Sequence, residues 1–256
     1  MKKIISIILV CGMILSFAGC GDNSENSEAT TAETTSSVEE TTQQTDDNKA
    51  DLQSLHSFDA ENGNAFAGAW TITDGEGSQY ESFVYVFDGN KSASIVIDTM
   101  GYIGEYSMTT SDKGEEILSS QLMFGINGNY TYKISDDKNT INLTNTETEA
   151  VTTLQRVVSF DCIPIPDKNA KIDSKLLGAW KSEDGEYYYF DESGIMYNNQ
   201  YGTIFTYFTY SAENSVITAT YKMGDETTDT YEYSVQGNTL TLNGYTYNKI
   251  PAGELI

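Results

Sequence analysis

Leu176-Leu177-Gly178-Ala179-Trp180 repeats a motif that first occurs 110 positions earlier, as Phe66-Ala67-Gly68-Ala69-Trp70. In each copy a hydrophobic pair leads into an identical Gly-Ala-Trp. The residues that follow also agree, since Tyr85-Val86-Phe87-Asp88 corresponds to Tyr188-Tyr189-Phe190-Asp191. Preserved order over two long segments indicates a tandem duplication.

The duplication divides the folded part of the chain. We expect one β domain over residues 64–160 and a second over 174–256, joined by a linker at 161–173. Pro164 and Pro166 lie in that linker, where they restrict the backbone to extended conformations and stop a strand from running through.

Apolar and polar residues alternate within each copy, as they do in half-buried strands. Phe83, Tyr85 and Phe87 fall on one face, with Ser82 and Val84 on the other. Asp, Asn and Gly clusters interrupt the pattern every 8–12 residues, which favours short hairpins. The sequence therefore predicts an all-β fold of two small antiparallel up-and-down barrels.

The Gly-x-Trp motif at the start of a β meander resembles the lipocalin, or calycin-like, group of barrels. Leu177-Gly178-Ala179-Trp180, followed by Asp184-Gly185, Tyr188-Tyr189-Phe190-Asp191 and a closing strand near residues 238–242, is similar to the lipocalin-like domains of unknown function that are repeated in bacterial surface lipoproteins. The resemblance implies that Trp70 and Trp180 plug one end of each barrel. It also implies that Gly68 and Gly178 let the backbone bend and pack closely there.

The amino terminus is predicted to be a lipoprotein signal peptide over residues 1–19. Met1-Lys2-Lys3 precedes an apolar run from Ile4 to Ala18, which is too short for a permanent membrane span. Phe17-Ala18-Gly19-Cys20 resembles the lipobox of bacterial lipoproteins. This resemblance implies that Cys20 carries a lipid, such as palmitate, and anchors the chain to the extracellular face of the cell membrane.

Residues 20–63 are predicted to be a disordered, acidic, Ser/Thr-rich tether. Eleven acidic residues and a single Lys49 lie between residues 21 and 62. Such a composition buries too little apolar area to offset the entropy of the chain. We expect His56, within this tether, to be solvated.

Charge and composition exclude several function classes. The formal net charge of −24 argues against nucleic-acid binding, which needs a surplus of Lys and Arg. A single His leaves no imidazole pair for zinc and no catalytic triad. The sequence carries no known catalytic motif, so we expect no enzyme activity, metal or cofactor. We interpret Asp59-Ala60-Glu61-Asn62-Gly63 as a turn rather than a calcium site.

Tyrosine is concentrated in the second copy, where 12 of the 18 tyrosines lie between residues 187 and 247. Consecutive tyrosines at 187–189 must point to both faces of one strand. Outward tyrosines stack on sugar rings or rest against another protein. The candidate stacking residues are Tyr188, Tyr197, Tyr201, Tyr207 and Tyr210.

Three hypotheses for function follow. The first is a non-catalytic, membrane-anchored extracellular lipoprotein that binds a glycan or protein ligand. The second is a secreted, glycan-active hydrolase that uses an Asp/Glu pair, and the third is a structural spacer of the envelope. Ordinary packing of the tyrosines in a barrel interior is the alternative to a stacking surface.

Overall fold

The computed structural model describes residues 49–255. Sixteen strands form this part of the chain, and no α-helix occurs within it. The first eight strands are Gly68–Gly75 (β1), Val84–Phe87 (β2), Ser92–Ile97 (β3), Met100–Thr110 (β4), Glu116–Gln121 (β5), Asn127–Ile134 (β6), Thr140–Asn145 (β7) and Val151–Arg156 (β8). The next eight are Gly178–Ser182 (β9), Tyr187–Phe190 (β10), Ile195–Gln200 (β11), Ile204–Glu213 (β12), Val216–Met223 (β13), Asp225–Gln236 (β14), Thr239–Leu242 (β15) and Tyr245–Ile250 (β16).

All ladders are antiparallel, and they close into barrel-like rings. Within β1–β8 each strand pairs with its sequence neighbours, β1 pairs with β8, and the β4–β5 ladder completes the circuit. We call this set the first ring. The second ring, β9–β16, follows the same order, with β16 on β9 and a β11–β12 ladder. The predictions of an all-β fold and of a closed antiparallel barrel are confirmed.

The two rings are not separate sheets. A short ladder pairs Met100, Gly101 and Tyr102 of β4 with Thr206, Phe205 and Ile204 of β12. One continuous sixteen-stranded sheet results. The division into two tandem lipocalin-like domains stays a prediction.

The duplicated motif occupies matching positions in the rings. Trp70 lies opposite Tyr85 in the β1–β2 ladder, and Trp180 lies opposite Tyr188 in the β9–β10 ladder. Both indoles are fully buried, and each indole N–H donates to a carbonyl four residues earlier, at Phe66 (2.8 Å) and Leu176 (2.6 Å).

A cation covers each indole ring. The Arg156 guanidinium lies 4.2 Å from the Trp70 centroid, and Lys249 Nζ lies 5.1 Å from the Trp180 centroid. Gly68 and Gly178 have φ of 140° and 103°, values that disfavour side chains. At Gly68 a Cβ would also lie only 2.3 Å from the Arg156 guanidinium. The role of these four motif residues as end plugs stays a prediction.

Apolar side chains form three clusters. One is built from inward residues of the first ring, around Trp70, and another from inward residues of the second ring, around Trp180. The third lies between the rings. It combines outward residues of both, such as Val86, Val96, Tyr189 and Phe205, with Leu52 and Leu255 from outside the strands.

The segment before the first ring is packed rather than solvated. Leu52 is buried, the Ala50 N–H donates to Tyr189 Oη (2.9 Å), and Tyr207 Oη donates to the Leu52 carbonyl (3.3 Å). Residues 50–56 thus correct the expected disorder of the tether at its end, whereas residues 57–62 are exposed. The rest of the tether lies outside the described residues.

Candidate functional site

The structure separates the five candidate tyrosines. Tyr188 and Tyr210 are buried inside the second ring, and Tyr197 and Tyr207 are buried between the rings. Only Tyr201 is exposed, at 65% of its surface. The expected stacking cluster with two exposed faces therefore does not form, and four of its five members are core residues.

The alternation of side chains along a strand, and the covering of both faces, explain why four of these tyrosines are buried. Tyr188 points into the second ring, so Tyr189 points outward, as the sequence predicts. The outward face is covered by the first ring and by residues 50–58, a contact that strand periodicity does not reveal. Burial raises the pKa of Tyr197 to about 12 and also raises the pKa of Tyr188, Tyr207 and Tyr210.

An open cleft of about 550 Å³ lies at one end of the second ring. It is formed by the β9–β10 and β11–β12 turns together with the first residues of β16. Its lining residues are Ser182, Glu183, Asp184, Glu186, Tyr201, Tyr245, Thr246, Tyr247 and Asn248. Tyr201 and Tyr245 present the exposed aromatic surface here, at 65% and 71% exposure.

Glu186 is the half-buried carboxylate of the cleft. Tyr247 Oη donates to its Oε2 (2.5 Å), and Asn198 Nδ2 donates to its Oε1 (3.1 Å). Burial, followed by the hydrogen bond and charge of Glu186, raises the pKa of Tyr247. Two neutral donors therefore fix the carboxylate, and no ion pair with a described Lys or Arg neutralises it.

The corresponding end of the first ring is closed by aromatic side chains. Phe83 precedes Tyr85 by two residues, just as Glu186 precedes Tyr188, so the duplication aligns Phe83 with Glu186. Phe83 packs against Tyr80 (centroids 5.1 Å apart) and Phe124 (5.9 Å), and Phe124 contacts Tyr102 (5.3 Å). A polar, open end thus distinguishes the second ring from its copy.

A smaller cavity, of about 190 Å³, brings together the single His and the buried Cys. His56, Asp161 and Cys162 all line it, although sequence spacing gives no hint of this. Burial, reinforced by the Asp161 charge, raises the pKa of the Cys162 thiol to about 12, and burial lowers the pKa of His56 to about 4. A nucleophilic cysteine needs the opposite shifts, toward thiolate and imidazolium.

Asp59 and Asp137, which lie outside the cleft, are engaged in turn hydrogen bonds. Asp59 Oδ1 accepts the N–H groups of Glu61 (3.1 Å) and Asn62 (2.8 Å), and Asp137 Oδ1 accepts that of Asn139 (3.0 Å). Backbone donation from Asn62 lowers the pKa of Asp59, and the Ser135 hydroxyl lowers that of Asp137. Among residues 49–255, no group of three His, Cys, Asp or Glu side chains is arranged to hold a metal ion.

The predicted lipid anchor is not tested by the structure. Cys20 and the predicted signal peptide, residues 1–19, lie outside the described residues. Within residues 49–255, no helix combines the length and the apolar character needed to cross a membrane.

Residues 178–196 match the model of a cell wall binding repeat family. The match covers β9, β10 and the start of β11, which is a short part of the chain. It points to a binding or interaction module at the cell surface. Its aromatic residues Trp180, Tyr188 and Phe190 are buried, and its exposed residues lie in two turns, of which the β9–β10 turn contributes Glu183, Asp184 and Glu186 to the cleft. No curated protein matches the chain.

Proposed function

We propose that this protein is a non-catalytic, extracellular binding module of the cell surface that holds a sugar polymer in the cleft of its second ring. In this proposal the rings are two tandem lipocalin-like barrels, and a lipid on Cys20 anchors them through the acidic tether. The cell wall binding repeat match supports the surface location. It also supports the cleft, because it covers the hairpin whose turn forms one wall of the cleft.

One observation carries the proposal, namely two exposed tyrosine rings beside polar groups in an open cleft. Exposed apolar surface gathered in one place marks interaction sites, and Tyr201 and Tyr245 are both exposed and line the same cleft. A tyrosine face packs against the apolar face of a sugar ring, and nearby carboxylates and amides bond to its hydroxyl groups. Glu183, Asp184 and Asn248 supply such groups.

The charge of the cleft narrows the ligand class. Three of its nine lining residues are acidic and none is Lys or Arg. The chain as a whole carries a formal charge of −24. Phosphate-bearing polymers would be repelled. A neutral or amine-bearing sugar chain is the ligand that fits.

The two remaining hypotheses make different predictions. A hydrolase would release shortened sugar chains, and it needs a carboxyl group held in the protonated form as general acid. An envelope spacer would bind no soluble sugar.

The test is binding of the mature, delipidated chain to purified cell walls and to sugar oligomers, by co-sedimentation and calorimetry. We expect Tyr201→Ala with Tyr245→Ala to weaken binding about tenfold or more, since each stacking contact contributes ~0.5–1.5 kcal/mol. The control pair is Val158→Ala with Ile165→Ala, which removes exposed apolar side chains outside the cleft. Equal binding by the cleft variant and the control would refute the proposal, and released oligosaccharides would identify a hydrolase.

A further inference from the structure

Residues 49–58 form a strap that lies across both rings. On the second ring, Ala50 and Leu52 bond to the hydroxyls of Tyr189 and Tyr207. On the side of the first ring, Leu55, His56 and Ser57 line a small cavity with residues of β2, β3 and β4. The Lys49–Glu192 ion pair is exposed and therefore contributes little to the stability of the docked strap. The strap is therefore held mainly by apolar and aromatic contacts.

His56 is the one strap residue whose charge changes near neutral pH. Its ring stacks on Phe205, with centroids 4.1 Å apart and planes 29° apart, and meets the edge of Tyr207 at 5.8 Å. Its Nε2 is buried and has no hydrogen-bond partner among the described residues. A proton on that nitrogen would be buried without a hydrogen-bond partner, which is unfavourable.

Titratable groups from three elements face the two cavities beside His56. Asp161 and Cys162 come from the linker, Asp88 from the β2–β3 turn and Tyr207 from β12. Both carboxylates already accept backbone N–H groups, Asp161 from Ile163 and Asp88 from Asn90, Lys91 and Ser92. Burial lowers the pKa of His56 from 6.5 to about 4.

We propose that the strap is a pH-sensitive latch, docked while His56 is neutral and released when acidification protonates His56. Release exposes the aromatic surface of Phe205 and Tyr207 between the rings.

The direction follows from proton linkage. The docked His56 has the lower pKa, so the released strap binds the proton more tightly. The equilibrium constant for docking of the strap has its full value above pH 6.5. It decreases by up to tenfold per pH unit as the pH falls toward 4. The loss is complete only below the pKa of the docked state.

Hydrogen exchange of the full chain, measured by mass spectrometry between pH 7 and pH 4.5, tests the latch. After correction for the intrinsic pH dependence of exchange, we expect protection in residues 50–58 to fall at least tenfold. In His56→Phe, which keeps an aromatic ring on Phe205 but cannot be protonated, protection should persist. In His56→Lys the strap should be released already at pH 7.

Strand β5, at Glu116–Gln121, is the internal reference for global stability and should stay protected throughout. Unchanged strap protection in the natural chain would overturn the proposal, as would an equal loss in His56→Phe or a simultaneous loss in β5. If the strap of His56→Phe is not protected at pH 7, His56→Leu replaces this variant. Protection of its strap should then persist at pH 4.5.

Discussion

The two copies differ at one aligned position at the ring ends. Trp70 and Trp180 have retained the same partners, whereas the aligned positions Phe83 and Glu186 have diverged from an apolar to an acidic side chain. Phe83 belongs to an aromatic closure, and Glu186 belongs to a polar cleft. A substitution at one inward position thus coincides with a change from a closed to an open ring end.

Replacement of Trp180 by Ala should destabilise the protein by ~3–5 kcal/mol, because it removes a fully buried large aromatic side chain. Chemical denaturation followed by the fluorescence of Trp70 measures the change. Val158→Ala, at a fully exposed position, is the control and should stay within about 0.5 kcal/mol of the natural chain. An unchanged denaturation midpoint in Trp180→Ala would show that the indole is not a core element.

Glu186→Gln should separate two kinds of ligand. The amide keeps an oxygen for one of the donors, Tyr247 or Asn198, but removes the negative charge. We expect affinity for amine-bearing sugar oligomers to fall about three- to tenfold and affinity for neutral oligomers to change little. Calorimetry with matched acetylated and deacetylated oligomers gives both values. Equal losses for the two ligands would mean that charge plays no part in recognition.

At the level of strands and segments, the β4–β12 ladder joins the rings and depends on a glycine. A Cβ at Gly101 would lie 2.3 Å from the Ile95 carbonyl oxygen and 2.4 Å from Phe205 Cζ. The absence of a side chain therefore lets the Phe205 ring approach β4 closely.

Gly101→Ala should destabilise the protein by about 1–3 kcal/mol, as expected for overpacking. Gly253→Ala is the matched control, because a Cβ there meets no atom within 4 Å. Thermal denaturation of both variants makes the comparison. Equal stability would indicate that the rings do not need this close approach.

Strands and turns could be predicted from the sequence because their signals are local. Alternation places Tyr85 and Phe87 inward, and the Asp and Gly residues mark the hairpins that form. The covering of outward faces could not be predicted, since Tyr189, Tyr197 and Phe205 are buried by residues more than a hundred positions away or by the strap. In the strap, the few apolar residues lie in a polar context, so composition favoured disorder there. Apart from Tyr201, the cleft could not be predicted, because its walls come from two separate turns and strand β16.

For the whole molecule, the interior is unusually rich in tyrosine, and this predicts its behaviour in alkali. Tyr188, Tyr197 and Tyr207 are neutral in the folded state, and burial raises their pKa values above the ordinary value of 10. The unfolded chain therefore loses these protons first as the pH rises. Stability is fully retained below pH 10 and decreases above it.

We expect cooperative unfolding above pH 10, with a steep rise in tyrosinate absorbance at the same pH as the loss of the β-sheet circular dichroism. The steepness reflects several buried hydroxyls that ionise only when the chain unfolds. A gradual titration of most tyrosines near pH 10 with the sheet intact would contradict their burial.

Nuclear magnetic resonance of the ¹⁵N-labelled chain, titrated with a defined sugar oligomer, tests most directly whether the second ring carries the binding cleft. Sugar binding in the cleft should change the chemical shifts of residues 182–186, 201 and 245–248. The shifts of the aromatic closure around Phe83 and Phe124 should stay the same. Changes confined to the first ring, or none at saturating oligomer, would contradict it.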